Sequence, residues 1–118
     1  MTVDVTPAWY WSRGLHDAII TKQECLFYTS YQKGVYYKNC LRLHIDSTLA
    51  MFDTSLLTIN LYNYKILSED FDLSGFWWVA DTVQLDGSKY VLRIVVQNPK
   101  EERIFLVRFT HCEVEHGN

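Results

Sequence analysis

A period of two in the placement of apolar residues is the feature that most constrains this chain. From Tyr90 to Val96 every second residue is apolar, and Lys89, Arg93 and Gln97 occupy positions on the opposite face. That period of two belongs to a strand with one buried face, whereas a helix repeats every 3.6 residues. The same period governs most of the chain after residue 17, so the sequence predicts a protein built from strands.

The last third predicts a three-stranded meander over residues 76–85, 89–97 and 102–109. Asp86-Gly87-Ser88 is a strong hairpin signal, and Asn98-Pro99 suits the first two positions of a type I turn. Residues 76–85 also fit one face of a helix, although a strand is favoured. Residues 104–107 are apolar on both faces, which predicts a strand that is central or covered on both sides.

The first two thirds predict a long hairpin and one further strand. Residues 18–31 and 35–46 flank the turn signal Gln32-Lys33-Gly34, and residues 55–67 alternate again. Thr6, Pro7 and Gly14 are typical of the two ends of a short N-terminal helix. The prediction is one all-β domain over residues 1–118, with about six mostly antiparallel strands in a sandwich or partly open barrel.

Composition excludes several classes of protein. The 118 residues are 48% hydrophobic and 21% charged, which is typical of a globular core. A net charge of −3 argues against a nucleic-acid partner, since such binding depends on clustered lysine and arginine. No apolar run reaches the length of roughly 18 residues that a membrane span needs. The N-terminal residues lack the pattern of a secretory signal, so we expect a cytoplasmic protein.

The histidine and cysteine residues give little support for catalysis. Cys40 and His44 share a face but are separated by about 13 Å along an extended strand, which is too far for proton transfer. Cys112 and His111 are neighbours on a strand and point to opposite faces. No pair of cysteines has the spacing of a zinc site, so we expect no metal, no cofactor and no enzymatic activity.

His16-Asp17 is the first candidate site. Such a pair occurs in metal-dependent phosphohydrolases, which are helical and need further ligands, whereas this chain is predicted to be β. Our main interpretation is therefore that this pair has a local structural role in a turn. An alternative is a small-ligand pocket in the mouth of the barrel, lined by His16, Asp17, Tyr62 and Tyr64.

Trp77-Trp78 is the second candidate site. Neighbours on a strand face opposite sides, so one tryptophan is predicted to be core and the other to be exposed or covered. An exposed tryptophan beside the acidic loop with Asp70, Phe71 and Asp72 is the kind of side chain that anchors a protein partner.

Several short motifs together carry a resemblance to a known group of proteins. They are Trp11, Leu15-His16-Asp17-Ala18, Tyr64-Lys65-Ile66-Leu67, and the segment from Phe71 to Trp78. The chain resembles small bacterial domain proteins that have a similar Trp…His-Asp-Ala start and a later Trp-Trp segment. Some of those proteins are similar to toxin-immunity proteins. The resemblance implies a bacterial, cytoplasmic, non-enzymatic protein, and it implies no functional residue.

The sequence therefore predicts a non-catalytic module that binds a protein partner, of which an immunity protein is one form. Two alternatives stay open: a ligand-binding β-barrel domain, and a hydrolase that uses His16 and Asp17. A homodimer is also compatible with the sequence, because exposed strand edges and aromatic side chains favour self-pairing.

Overall fold

The computed structural model describes residues 15–32, 35–48, 50 and 56–117, without the side chains of residues 28–32 and 35–38. The predicted N-terminal helix over residues 6–14 lies outside these residues. The predicted all-β class is confirmed, because every regular element in the described part of the chain is a strand. The ambiguous segment 76–85 is extended, since a strand runs from Trp77 to Asp86.

The strands form one antiparallel sheet in the order β4-β7-β6-β5-β1-β2-β3-β8. The described residues form eight strands where about six were predicted; of the predicted sandwich or partly open barrel, the structure shows a single sheet that is not closed, and so not a sandwich of two sheets. The strands are β1 (Ile19–Gln32), β2 (Val35–Asp46), β3 (Leu56–Tyr62), β4 (Lys65–Ile66), β5 (Trp77–Asp86), β6 (Lys89–Gln97), β7 (Glu102–Phe109) and β8 (His111–His116).

Two bends explain the larger number of strands. Residues 63–64 separate β3 from β4, and Thr110 alone separates β7 from β8. The pair Tyr62–His111 on one side of the bends and the pair Lys65–Arg108 on the other follow the same register. The outermost strand β4 is therefore a continuation of β3, and the outermost strand β8 is a continuation of β7. Each of these two longer strands lies next to the opposite end of the sheet.

Two asparagine side chains fix these bends. The Asn39 amide accepts a hydrogen bond from the Tyr64 N–H at 2.8 Å and donates one to the Tyr64 carbonyl at 3.3 Å. Asn63 has a φ of 55°, in the left-handed region that asparagine tolerates better than most residues. Its side chain donates to the Thr110 hydroxyl at 3.0 Å. The bend in one strand is therefore tied to the bend in its neighbour.

The core is a single cluster on one face of the sheet. Trp78, Phe105 and Phe109 are its largest side chains without exposure, and the other members come from strands across the sheet. Because one face of an eight-stranded sheet surrounds one cluster, the sheet must curl around it. The segment between β4 and β5 contributes buried Leu73 and Phe76, and the Leu73 N–H donates to the Gln23 side chain at 2.9 Å.

Candidate functional site

The outer surface of the curled sheet has two faces of different chemistry. On β1, β2 and β3 the residues that point away from the core are mostly polar, as a solvated antiparallel sheet requires. We call this set the polar face; its register-matched members are Lys22, Glu24, Leu26, Cys40, Arg42, His44, Thr58, Asn60 and Tyr62.

Asn60 is the centre of the polar face and is only 2% exposed. Its side-chain oxygen accepts a hydrogen bond from Arg42 Nε at 2.7 Å. Its side-chain nitrogen lies 3.2 Å from the Glu113 carbonyl and 3.3 Å from the Thr58 hydroxyl. A buried amide with its hydrogen bonds satisfied stabilises the fold, whereas an unsatisfied one would destabilise it.

Glu24 and His44 form the second contact of the polar face. Their side chains are hydrogen-bonded across β1 and β2. This hydrogen bond is the main cause that holds the pKa of the Glu24 carboxyl below its usual range, and Lys22 adds to the effect. The polar face therefore contains partners for its own charged groups.

Burial makes two of the three cysteines poor nucleophiles. It raises the pKa of the Cys40 thiol to about 11, and it also raises the pKa of the Cys112 thiol. A thiolate is the reactive form, so both side chains are inert near neutral pH. Among the described residues there is no group of three or more histidine, cysteine, aspartate or glutamate side chains that could hold a metal ion.

The outer face of β5, β6 and β7 contains a row of apolar side chains beside Arg93 and Gln97. Val95 pairs with Ala80 on one side and with Ile104 on the other, which gives an apolar row across three strands. Ile104 is 44% exposed, and Leu67, which bonds to the Leu106 backbone, is 42% exposed. We call this surface the apolar strip; its members are Leu67, Trp77, Ala80, Val95, Ile104 and Leu106.

Exposed carboxylates lie near one end of the apolar strip in the sequence, since they follow Leu67 and precede Ile104. We call them the acidic rim; they are Glu69, Asp70, Asp72, Glu101 and Glu102. The Arg103 guanidinium organises this end, since it lies 3.0 Å from the Glu69 carboxylate and 3.8 Å from that of Glu101. The same guanidinium stacks on the Phe71 ring, 3.8 Å from its centroid.

The structure separates the two predicted tryptophan anchors. Trp78 has no exposure and donates from Nε1 to the Asp81 carboxylate at 2.7 Å, so it belongs to the core. Trp77 is half-buried on the outer face, within the apolar strip. Asp70 and Asp72 are exposed, whereas Phe71 is half-buried and packs edge-on against Phe76 and Phe105.

The four residues of the alternative pocket lie on different elements, and no described contact joins the two pairs. His16 Nδ1 donates to the Val79 carbonyl at 2.7 Å, and its Nε2 lies 3.6 Å from the Asp17 carboxylate. Tyr62 is 3.4 Å from a Glu113 carboxylate oxygen on the polar face. Burial raises the pKa of the Tyr64 phenol, and a hydrogen bond with Cys25 raises it further.

A cleft that sequence reasoning missed lies between the β5–β6 hairpin and β8. It has a volume of about 510 Å³ and is lined by Ser88, Tyr90, Thr110, His111 and Cys112. The alternation of Cys112 and Val114 with charged residues is the signal that predicts β8, and with it this cleft.

Comparison with protein-family models, with curated proteins and with solved structures finds no match to this chain. None of the described residues forms a helix long and apolar enough to cross a membrane.

Proposed function

We propose that this protein is a non-catalytic binding module that docks a protein partner on the apolar strip and the acidic rim. One observation carries the proposal. The sequence of β7 is that of a strand covered on both faces, yet no described residue covers its outer face at Ile104, which is 44% exposed. A partner protein would supply the missing cover.

The hydrophobic effect would drive this association. Fully burying an aliphatic side chain that was exposed contributes roughly 1.5–3 kcal/mol. Leu67 and Ile104 are both more than two-fifths exposed, and Trp77 adds an aromatic side chain of the type that anchors interfaces. Most side chains of the polar face are polar, and its apolar members Leu26 and Tyr62 are partly or fully buried, so the apolar strip is the better docking surface.

The acidic rim indicates the chemistry of the partner. Its five carboxylates are exposed and lie close in sequence to Leu67 and Ile104, and the Arg103 guanidinium contacts two of them, Glu69 and Glu101. A surface of this sign attracts a basic surface and speeds its association. We infer a partner with an apolar patch surrounded by lysine and arginine. A toxin that this chain would neutralise as an immunity protein in the bacterial cytoplasm is one such partner.

Affinity capture with matched variants tests the proposal. Ile104→Lys places a positive charge in the apolar strip, whereas Leu57→Lys changes a side chain of similar exposure (50%) on β3. Both proteins are first shown to be folded by circular dichroism. We expect wild type and Leu57→Lys to retain one basic protein that elutes at high salt, and Ile104→Lys to lose it.

Two results would overturn the proposal. One is a partner that Ile104→Lys retains as well as wild type does. The other is a wild-type dimer, seen by sedimentation, that Ile104→Lys converts to a monomer, because the occupant would then be a second copy of this chain.

A further inference from the structure

Beyond protein binding, we propose that the cleft between the β5–β6 hairpin and β8 binds a small uncharged ring that carries hydroxyl groups, of monosaccharide size. The proposal rests on three properties of the cleft: how the fold creates it, which side chains line it, and how those side chains are held.

The cleft is a consequence of the bend at Thr110. Strand β7 pairs with β6 as far as the pair Tyr90–Phe109. Beyond the bend the chain continues as β8 and pairs with β3 instead. The β5–β6 hairpin turns back at Gly87 and Ser88. Because β8 is paired with β3 and not with this hairpin, a space of about 510 Å³ lies between them. This volume is within the range of small-molecule sites.

The side chains that line the cleft favour an uncharged, polar ligand. Two aliphatic hydroxyls, a phenol, an imidazole and a thiol form its surface, and none of them carries a permanent charge. Burial raises the pKa of the Cys112 thiol, which keeps that group neutral. None of the five described lining residues is a lysine, arginine, aspartate or glutamate, so an ionised ligand would meet no permanent opposite charge there, and an unpaired charge is costly to desolvate.

Three contacts hold the lining in place before any ligand arrives. The Tyr90 ring stacks on Phe109 with centroids 5.8 Å apart and planes at 25°. The Thr110 hydroxyl accepts a hydrogen bond from Asn63 at 3.0 Å and lies 2.9 Å from His111 Nδ1. An aromatic side chain in the lining suits the C–H face of a sugar, and groups that are already fixed lose less entropy on binding.

The test is an NMR titration of the full chain with uncharged and charged rings. The uncharged probes are methyl glucoside, N-acetylglucosamine and inositol, and the charged controls are glucuronate and glucosamine. Ser88→Trp fills the cleft from an exposed turn, and Lys100→Trp makes the same change in the turn between β6 and β7. We expect saturable shifts of the amides of Thr110, His111 and Cys112, with a dissociation constant on the order of 1–10 mM.

Those shifts should occur with at least one uncharged ring in wild type and in Lys100→Trp, and they should be absent in Ser88→Trp. The proposal is overturned if no uncharged ring gives saturable shifts at concentrations on the order of 100 mM, which is ten times the weakest affinity expected. It is also overturned if a charged control binds equally well, or if Ser88→Trp binds as wild type does.

Discussion

Asn60 shows how one residue stabilises an entire face of the sheet. It is 2% exposed, and it joins β2 to β3 through Arg42 and β3 to β8 through the Glu113 carbonyl. Asn60→Ala would leave the Arg42 Nε–H and the Glu113 carbonyl without this partner. We expect this variant to lose about 2–3 kcal/mol in the free energy of unfolding, measured in urea.

Gln84→Ala is the matched control for this variant, because Gln84 is an exposed polar residue on β5. Its free energy of unfolding should change by less than about 0.5 kcal/mol. Equal losses in the two variants would show that the Asn60 hydrogen bonds add nothing specific.

Glu24 makes the stability of the fold depend on pH. The hydrogen bond from His44 lowers the pKa of the Glu24 carboxyl in the folded state. The stabilisation is thus fully present above the unfolded pKa of about 4.3, and it is lost as the pH falls through the lower folded value. In Glu24→Gln we expect a shallower loss of stability below about pH 4.3, measured as midpoints of urea unfolding. An acid limb identical to that of wild type would contradict this assignment.

The three cysteines should differ sharply in reactivity. Cys25 is exposed, whereas Cys40 and Cys112 are buried with raised thiol pKa values. We expect a thiol reagent at mildly alkaline pH to modify one cysteine in the folded protein and three after denaturation. Cys25→Ser should remove the fast reaction, and fast modification of a second thiol in the folded protein would show that a buried cysteine is accessible.

At the scale of strands, the alternation of residues was sufficient where a strand runs straight. The hairpin signal Asp86-Gly87-Ser88 lies where the structure ends β5 and begins β6, and the hairpin of β1 and β2 also matches its prediction. The predicted number of strands was wrong because the alternation of apolar and polar residues does not reveal a bend within a run. Residues 55–67 read as one run, although Asn63 adopts a left-handed conformation that divides it.

The bend at Asn63 gives a prediction at this scale. Asn63→Val would lose the hydrogen bond to Thr110 and would force a β-branched residue into a positive φ. We expect a loss of about 2–3 kcal/mol in the free energy of unfolding. Asn63→Gly loses the same hydrogen bond but tolerates the backbone conformation, so its loss should be about half as large. Equal losses would mean that backbone strain has no part in the effect.

The candidate site could be predicted only in part, for a related reason. Alternation shows that Trp77 and Trp78 face opposite sides, but it does not show which side is the core. That choice depends on the long-range pairing of β5 with β1 and β6. The bulge after Trp78 then shifts the alternation, so that Ala80 and not Val79 joins Trp77 on the outer face.

At the scale of the whole molecule, the sheet curls around one core and presents two unlike outer faces. The polar face contains hydrogen-bond partners for its own charged groups, whereas the apolar strip leaves Ile104 and Leu67 in contact with water. A sheet face of the second kind is typical of an interaction surface. The central claim is therefore that the outer face of β7 is where a partner binds.

The most direct test is the dissociation constant of the captured partner for three purified chains: wild type, Ile104→Lys and Leu57→Lys. Loss of a central apolar anchor costs about 2 kcal/mol or more, so Ile104→Lys should weaken binding by at least roughly 30-fold. Leu57→Lys should bind as wild type does. If Leu57→Lys weakened binding and Ile104→Lys did not, the partner would bind on the side of β3 and the claim would be wrong.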